Sequence, residues 1–341
     1  MALKIIYFDI KEESKKFFEE NLINDTEAFF KEESLNPFSE LTEIEKNANI
    51  ISVFTTSRVG KDVLEQFPNL KLVALRSVGY NHVDLEYCKS RNILVANAPH
   101  YGDNTVAEYT FGLMLDITRH ISRSYADIKQ QEIHLASYRG IELFGKTLGI
   151  IGLGAIGKEV ARIANGFKMN ILAYDPIQKE ECKSQYKVQY TTIENIAYNS
   201  DIITIHAPSN ESNYHLINED FIHKMKPSAF LINTARGEIV DSKALYRALS
   251  SKKIAGAALD VIEYEEMFSE SVDEYLAKID AINIEMLKKT IINNNLTKLP
   301  NFILTPHIAF NTQEAIQRTL EITLSNIKNF ISGDTVNIVN Q

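Results

Sequence analysis

Tryptophan is absent from this 341-residue sequence, and cysteine occurs only twice, at Cys88 and Cys182. Two isolated cysteines form neither a CxxC pair nor a Cys/His cluster, so a disulfide-rich scaffold and a cysteine-based metal site are excluded. One disulfide between them stays open at this point, although we expect free thiols in a reducing compartment. Glycine (14) and proline (8) are too scarce for a fibrous repeat.

Basic residues are also in short supply, because 36 Lys and Arg stand against 45 Asp and Glu, for a formal charge of -9. Without excess positive charge the chain lacks the field that attracts phosphate backbones, so we expect no nucleic-acid partner. No apolar stretch approaches the roughly 18 residues of a membrane span. The first apolar run is ended by Asp9 and Lys11, too soon for a signal sequence. We therefore expect a soluble cytoplasmic protein with no membrane partner.

The length suggests about two domains, at roughly 100 to 200 residues each. Short β-branched, apolar runs alternate with polar helical segments over the first hundred residues; the runs are 3–8, 50–55, 70–76 and 93–96. Such alternation predicts βαβ units and a parallel sheet covered by helices on both faces. A turn-rich segment at 97–102 follows, and then a long apolar helical segment at 103–120. Within that segment Thr105 and Glu108 have the spacing of a capping box and predict the helix start.

A second alternating series begins near residue 147 and predicts about six strands; the runs are 148–152, 170–175, 201–206, 229–233, 254–261 and 302–305. Residues 263–300 turn acidic and helical, which indicates an insertion. Residues 312–331 form an amphipathic pattern that stops at Gly333, and we expect this last helix to pack on the first domain. The sequence thus predicts an α/β protein of two doubly wound parallel-sheet domains, with boundaries at 1–102 plus 311–341, and at 103–310.

A glycine-rich motif, Gly152-Leu-Gly154-Ala-Ile-Gly157, follows the first strand of the second series and opens a helical pattern. Glycines at this spacing allow a tight turn, close approach of a pyrophosphate, and close packing of helix on strand. The next strand ends in Asp175, at the distance where an acid meets a ribose diol. A carboxylate repels a 2′-phosphate, and Pro176 stands where an Arg would favour NADP. We therefore predict a Rossmann domain that binds NAD.

Three further segments fall at the ends of predicted strands, where open α/β sheets bind ligands, and they carry Arg236, Glu265 and His307. A guanidinium can hold a substrate carboxylate with two hydrogen bonds and polarise the adjacent carbonyl. An imidazole can donate a proton to a developing alkoxide and take it back in reverse. A carboxylate beside the imidazole favours its protonated form. Together these residue types predict a hydride-transfer site.

The chain resembles the D-isomer-specific 2-hydroxyacid dehydrogenase family, and in particular its D-lactate dehydrogenase branch. The resemblance covers nearly the whole chain and is carried by these motifs: RSVGYNHVD at 76–84, NAPHY at 97–101, TVAE at 105–108, GLGAIG at 152–157, HAP at 206–208, NTARG at 233–237, ALDV at 258–261 and TPHIA at 305–309. It implies a flavodoxin-like substrate-binding domain at 1–102 plus 311–341, a Rossmann NAD-binding domain at 103–310, and a homodimer.

The resemblance also implies a role for individual residues. Arg236 would bind the substrate carboxylate and keto oxygen, His307 would be the acid/base, and Glu265 would orient it, with Glu263 and Glu266 as competitors for that last role. The substrate would also meet the main chain around Val78 and Gly79, and the side chain of Tyr101. The residues implied for the cofactor are Gly152, Gly154, Ala155, Ile156, Gly157, Asp175, Ala207, Pro208, Asn213, Thr234, Ala235 and Asp260.

Departures from the broad family bear on the substrate. The insertion after Glu265 and the asparagine at Asn213 resemble the lactate branch, which favours pyruvate and D-lactate. A bulkier keto acid of the 2-ketoisocaproate type stays open, as does a corepressor-like protein that only senses NAD(H). We predict no metal, because the acidic run at 263–270 has no calcium-loop spacing and no nearby His ligand. His206 and His215 are expected to be structural.

Overall fold

The structure is a computed structural model of the chain, and it describes residues 2–131, 133, 135–265 and 284–341. The chain forms two compact units. The first consists of Met1–Tyr101 together with Thr312–Gln341, and the second of Gly102–Asn311. Each unit is built on a sheet of parallel strands, so the predicted α/β class is confirmed.

The first unit has a sheet of five parallel strands in the order β2-β1-β3-β4-β5, which is a flavodoxin-like order. Its strands are β1 (Leu3–Tyr7), β2 (Thr26–Phe30), β3 (Ile50–Val53), β4 (Leu72–Leu75) and β5 (Leu94–Ala96). The helices between them are α1 (Glu12–Glu20), α2 (Glu43–Lys46), α3 (Lys61–Leu64) and α4 (Leu85–Ser90).

Both faces of this sheet are buried, and strand β1 shows how. Ile6 belongs to a core cluster on one face, whereas Ile5 and Tyr7 belong to the cluster on the other. Leu324 and Ile327 of the final helix lie in that second cluster. Residues two apart along a strand share a face, so β1 serves two cores at once. The end of the chain thereby completes the first unit.

The second unit has seven parallel strands in the order β12-β11-β10-β9-β6-β7-β8, the doubly wound Rossmann order with one strand added. Its strands are β6 (Thr147–Ile151), β7 (Asn170–Tyr174), β8 (Val188–Tyr190), β9 (Ile202–Ile205), β10 (Phe230–Asn233), β11 (Gly256–Leu259) and β12 (Phe302–Leu304). Its helices are α5 (Asp103–Arg119), α6 (Ile121–Lys129), α7 (Ala155–Gly166), α8 (Glu180–Tyr186), α9 (Ile193–Asn199), α10 (Glu219–Lys224), α11 (Ser242–Ser250) and α12 (Ile284–Leu296). Helix α13 (Gln313–Ser332) belongs to the first unit.

Helix α5 begins earlier than the sequence predicts. Its N-cap is Gly102, and Thr105 is a buried residue of the first turn, so the predicted capping box at Thr105 and Glu108 is wrong. The Glu108 side chain instead accepts a hydrogen bond from Asn104 Nδ2 at 2.7 Å. Helix α13 does begin as predicted, because Thr312 caps it by accepting from Ala315 N at 3.2 Å, and it ends at Gly333 with φ 92°.

The predicted strand count of the second sheet is too low by one. Strand β8 was not anticipated, and neither was β2 in the first sheet, since both are edge strands with partly exposed residues and short apolar patterns. The predicted insertion at 263–300 contains α12, while residues 266–283, Glu266 among them, lie outside the described residues. None of the described helices combines the length and apolar composition of a membrane crossing.

Candidate active site

The glycine-rich turn after β6 is built so that two of its glycines cannot be replaced. Gly152 has φ 92°, and a Cβ there would lie 2.6 Å from the carbonyl oxygen of His206. A Cβ on Gly157 would lie 2.1 Å from the carbonyl oxygen of Gly152. Both approaches are to backbone, which has little freedom to move. The turn, the start of α7 and the end of β9 therefore pack backbone against backbone.

Gly154 is different, because a Cβ there would meet no atom within 4 Å among the described residues. It is the N-cap residue of α7 and gives that helix no side-chain cap. Ala155 and Ile156 follow in the first turn and are partly exposed. The first amides of a helix lack intrahelical partners and attract anions. An exposed helix start with no side chain over it fits the pyrophosphate of a dinucleotide.

Asp175 lies at the end of β7, beside this turn. One carboxylate oxygen accepts from Leu153 N at 2.7 Å and the other from Ile177 N at 2.8 Å. The two amides fix the carboxylate, and a carboxylate has lone pairs for further hydrogen bonds. This anchored negative charge fits the ribose diol of NAD and disfavours a 2′-phosphate.

The other residues expected at the cofactor follow β9 and β10, whose carboxyl ends share one edge of the sheet with β6. Ala207 and Pro208 directly follow His206, and Asn213 Nδ2 donates to the Pro208 carbonyl at 2.9 Å. Thr234 is buried and pairs with Thr110 Oγ1 at 2.9 Å, and Ala235 N donates to Asn233 Oδ1 at 3.0 Å. These contacts shape the loops at this edge of the sheet.

Asp260, also expected at the cofactor, lies underneath the loop that carries His307. Its carboxylate is 1% exposed and accepts from Thr305 Oγ1 at 2.5 Å, Ile308 N at 3.0 Å and Ala309 N at 2.8 Å. Its main-chain oxygen accepts from His307 N at 2.9 Å. Burial raises the pKa of Asp260, against the opposing effect of these hydrogen bonds. The structure thus gives Asp260 a clear role in shaping this loop.

His307 and Glu265 form a close pair, with Nδ1 of the imidazole 2.6 Å from Oε1 of the carboxylate. Burial opposes protonation of His307, but the hydrogen bond and charge of Glu265, aided by Asp260, outweigh it, so the pKa of His307 lies above its usual value. Of the competing carboxylates, Glu263 instead binds His215 at 2.8 Å, and Glu266 lies outside the described residues.

Arg236 lies close enough to His307 for its positive charge to oppose protonation of the imidazole and so lower its pKa. The only hydrogen bond that its guanidinium donates within the described residues goes to the Ala235 carbonyl, at 2.6 Å. No acidic side chain in that part of the chain forms an ion pair with it. The guanidinium therefore keeps several donors for an anionic ligand beside an acid/base pair.

The residues expected at the substrate in the first unit lie in the loop after β4. Val78 O accepts from Asn97 Nδ2 at 2.8 Å, and Gly79 O accepts from Ser77 Oγ at 2.7 Å. Their own N–H groups donate to no acceptor within the described residues, and Val78 is exposed. Two successive amides without an acceptor in this part of the chain are available to an anionic ligand.

The last expected substrate residue, Tyr101, is 9% exposed, and its carbonyl accepts from Arg318 Nε at 2.7 Å. The loop at Val78 is itself supported from the chain end. Asn326 of α13 donates from Nδ2 to the Asn97 carbonyl at 2.8 Å, and Asn97 in turn donates to Val78. This asparagine relay is not apparent from the sequence, because its members are far apart in the chain and asparagine has no distinctive pattern.

His206 and His215 have the structural partners expected of them. Nε2 of His206 lies 2.9 Å from Thr204 Oγ1, and burial lowers the pKa of His206 to about 3. Its imidazole is therefore neutral over the physiological range. His215 pairs with Glu263, which Lys289 also contacts at 2.9 Å. Lys289 was missed from the sequence, since a lysine in an acidic helical segment gives no signal of burial.

Comparison with known proteins identifies the family. Residues 111–309 match the model of the D-isomer specific 2-hydroxyacid dehydrogenase NAD binding domain. An aromatic 2-oxoacid reductase of Clostridium sporogenes is 37% identical over 284 residues, covering 82% of each chain. A D-lactate dehydrogenase structure from Aquifex aeolicus, complexed with NAD and lactic acid, has TM-score 0.85, 34% identity and 99% coverage of both chains. A D-2-hydroxyisocaproate dehydrogenase structure has TM-score 0.83, 27% identity and coverage of 99% and 100%.

The fold and the dinucleotide turn define an NAD-dependent oxidoreductase. More narrowly, the chain belongs to the D-isomer specific 2-hydroxyacid dehydrogenase family, as its motifs indicated.

The open space at Gly154 gives a test of where the pyrophosphate binds. Gly154→Ala adds a methyl group that clashes with no described atom, so the protein should fold with an unchanged melting temperature. The same methyl would intrude on a phosphate at the helix start, so the Kd for NADH should rise about tenfold or more. That rise corresponds to a loss of at least about 1.4 kcal/mol of binding free energy. Fluorescence titration with NADH measures the Kd.

Gly166→Ala is the matched control, because that position at the far end of α7 is also open. It should leave NADH binding unchanged. Equal Kd values for both variants would show that the cofactor does not approach Gly154.

Proposed function

We propose that the protein reduces a small 2-keto acid, preferentially pyruvate, to the D-2-hydroxy acid with NADH, and that His307 is the acid/base. The observation that carries this proposal is the His307–Glu265 pair at 2.6 Å, with the Arg236 guanidinium nearby, which forms no ion pair with any described residue. In a chain of this family, these are the groups that a carbonyl reduction requires: an anion binder, an oriented proton donor and a dinucleotide turn.

Substrate binding starts from the keto acid's carboxylate. Arg236 can hold it with two parallel N–H donors and direct a further donor to the adjacent keto oxygen. We also assign to substrate binding the amides of Val78 and Gly79, which donate to no acceptor within the described residues, and the side chain of Tyr101. In this assignment the first unit is the substrate-binding domain and the second is the NAD-binding domain.

Proton transfer falls to His307. When bound, NADH supplies the hydride. Negative charge then develops on the keto oxygen, and the protonated imidazole donates to it while the Arg236 guanidinium stabilises it. Glu265 keeps the imidazole protonated before the reaction and fixes Nδ1, so that Nε2 faces the substrate. In the reverse direction the neutral imidazole accepts the proton.

We assign the cofactor to the glycine turn and the adjacent strand ends. The residues are Gly152, Gly154, Ala155, Ile156, Gly157, Asp175, Ala207, Pro208, Asn213, Thr234, Ala235 and Asp260. The free, buried thiols of Cys88 and Cys182 agree with a reducing cytoplasm, which stays a prediction.

Pyruvate is the first choice of substrate because a D-lactate dehydrogenase matches the chain from end to end, and because Tyr101 and Asn213 resemble the lactate branch. A bulkier keto acid is the second candidate. It is supported by the likeness to the D-2-hydroxyisocaproate dehydrogenase and to the aromatic 2-oxoacid reductase.

The substrate is tested by mixing purified protein and NADH with a panel of keto acids and following the NADH absorbance. The panel contains pyruvate, glyoxylate, hydroxypyruvate, 2-ketoisocaproate and phenylpyruvate. The highest kcat/KM with pyruvate is the expected result, and the product should be D-lactate by chiral chromatography. A preference for the branched or aromatic acids would replace pyruvate by the second candidate, and absence of turnover with all five would overturn the proposal.

Substitution of the acid/base should lower turnover more than binding. His307→Gln removes the transferable proton, and since general acid catalysis is worth roughly 10²–10⁴-fold, kcat should fall by about that factor. Arg236→Gln should also raise the KM for the keto acid, because it removes the carboxylate binder. Steady-state kinetics separates the two effects. His223→Gln, at an exposed histidine of α10, is the control and should retain normal kinetics.

The pH profile gives an independent check. Keto-acid reduction needs protonated His307, so kcat/KM should decline as the pH rises through the raised pKa of this group, while D-lactate oxidation should increase over the same range. Glu265→Gln removes the charge that raises this pKa, so the decline should move to lower pH. A profile that is the same in Glu265→Gln as in the wild type would contradict the assignment.

We further propose a homodimer formed through the surface of α6 and the segment after it. Helix α6 has no buried residue, and large apolar side chains are exposed along this part of the chain: Ile121, Tyr125, Ile128, Ile133, Leu135 and Phe144. Exposed apolar side chains concentrated in one stretch of chain are typical of a protein interface.

Tyr125→Glu places a charge on this surface and should convert the dimer to a monomer in sedimentation velocity. Ile44→Glu, at an exposed residue of the first unit, is the control and should leave the mass unchanged. A monomeric wild-type protein, or a Tyr125→Glu protein with the wild-type mass, would count against this surface.

A further inference from the structure

A buried ionic cluster surrounds Glu263, two residues before the carboxylate that pairs with His307. Glu263 is 2% exposed. Its Oε1 lies 2.8 Å from His215 Nε2, and its Oε2 accepts from Lys289 Nζ at 2.9 Å and from Ser242 N at 3.0 Å. Burial opposes ionisation of Glu263, but these hydrogen bonds outweigh it and lower its pKa. Glu263 is therefore a fixed, ionised anchor.

Helix α12 supplies two of the groups that hold this anchor. Lys289 is 7% exposed and contacts the Glu263 side chain, and Asn293, which is fully buried, donates from Nδ2 to the Glu263 main-chain oxygen at 2.7 Å. These residues lie four apart and so on one face of the helix. A helix of the insertion therefore holds both the side chain and the backbone of Glu263.

The cluster has the donor atoms of a metal site, but a lysine ammonium already lies among its carboxylates. Single ligand atoms of His215, Asp241 and Glu263 lie within 4.8 Å of one another. However, the Lys289 ammonium lies 2.9 Å from Glu263 and 3.5 Å from Asp241. The lysine takes the place that a cation would occupy. The cluster thus fits a structural clamp better than an ion site.

The backbone leads from this anchor directly to Glu265. The intervening Tyr264 has φ 54°, a left-handed conformation that costs a non-glycine residue energy and needs support from its surroundings. Glu265 itself has few partners, because Oε1 pairs with His307 while the buried Oε2 has no hydrogen-bond partner in the described residues. Among the described residues, Glu265 is therefore held by its contact with His307 and by its backbone, which leads to Glu263.

We propose that Lys289 and Asn293 of α12 are positioning residues, which clamp Glu263 and so hold Glu265 against His307. The insertion then helps to position the acid/base pair of His307 and Glu265. The predicted effect on catalysis rests on the proposed function, whereas the predicted effect on the pKa of His307 does not.

Charge and geometry make opposite predictions for Lys289. The charged groups that act on His307 are Glu265, Asp260 and Arg236. The titratable groups around Glu263 are His215, Lys289 and Asp241, with Tyr214 stacked on His215 at a ring distance of 4.0 Å. Removal of the positive Lys289 would raise the pKa of His307 through charge alone. Displacement of Glu265 would lower it, because the hydrogen bond that favours the protonated imidazole is weakened.

The test is an NMR titration of His307 in the full-length protein, with the signal assigned by its loss in His307→Gln. We expect Lys289→Met to lower the pKa of His307 by about one unit, which is within the range that a carboxylate at hydrogen-bond distance contributes. Asn293→Ala removes no charge and should shift the pKa in the same direction. Lys289→Arg should restore most of the wild-type value. An unchanged or raised pKa in Lys289→Met and Asn293→Ala would overturn the proposal.

The matched controls lie on the same helix. Lys288→Met and Asn294→Ala change exposed neighbours of the same residue types and should leave the titration of His307 unchanged. A thermal melt and an NADH titration identify variants that fail to fold. If Lys289→Met fails to fold, Asn293→Ala, which changes no charge, decides the outcome.

Kinetics separates this inference from the proposed function. With a keto acid that the wild type reduces, Lys289→Met should lower kcat by about tenfold or more with little change in KM, since small misplacements of catalytic groups cost up to about 100-fold. A wild type that reduces no keto acid would refute the proposed function and leave the His307 titration to decide the clamp. If the wild type is active and Lys289→Met has the same kcat and the same His307 titration, the clamp is refuted but the proposed function is not.

Discussion

The buried carboxylate of Asp260 is the interaction on which the geometry of the candidate site depends. It comes directly after β11 and satisfies two amides and one hydroxyl of the loop after β12. A buried charge without partners is costly, so the loop is drawn over the carboxylate in one arrangement. That arrangement includes φ 52° at His307, a conformation that a histidine seldom adopts. The carboxylate thereby fixes the backbone from which the imidazole projects.

Two acidic residues thus determine different properties of the His307 imidazole. Asp260 sets where the backbone of His307 lies, and Glu265 sets the direction and protonation of its ring. Arg236 adds a positive charge that works against protonation. Since opposing charges act on the ring from nearby, its proton affinity depends on their positions, and small shifts of either partner change it. The loops that hold these groups are accordingly fixed by many hydrogen bonds.

The features of this fold that depend on local pattern are predictable from the sequence. Alternating apolar runs predicted ten of the twelve strands of the described residues, and the glycine spacing predicted the turn at Gly152 and Gly157. The edge strands β2 and β8 were not predicted, since edge strands need little apolar sequence. The capping box at Thr105 failed because the helix already begins at Asp103, and its N-cap, Gly102, has no side chain that could mark the start in the sequence. Lys289 and Asn326 act over long sequence separations, which no local pattern reveals.

The composition of the first unit has a consequence for the order in which the molecule forms. Its core contains Tyr7 from the beginning of the chain and Leu324 from near the end, whereas the second unit is one uninterrupted stretch, Gly102–Asn311. Domains form as units during synthesis, with earlier segments leading. Here the core of the first unit is completed late, because Leu324 and Ile327 of α13 are synthesised after the whole of the second unit. The second unit can therefore fold before the first is complete, and the loop at Val78 gains its support from Asn326 only once α13 is in place.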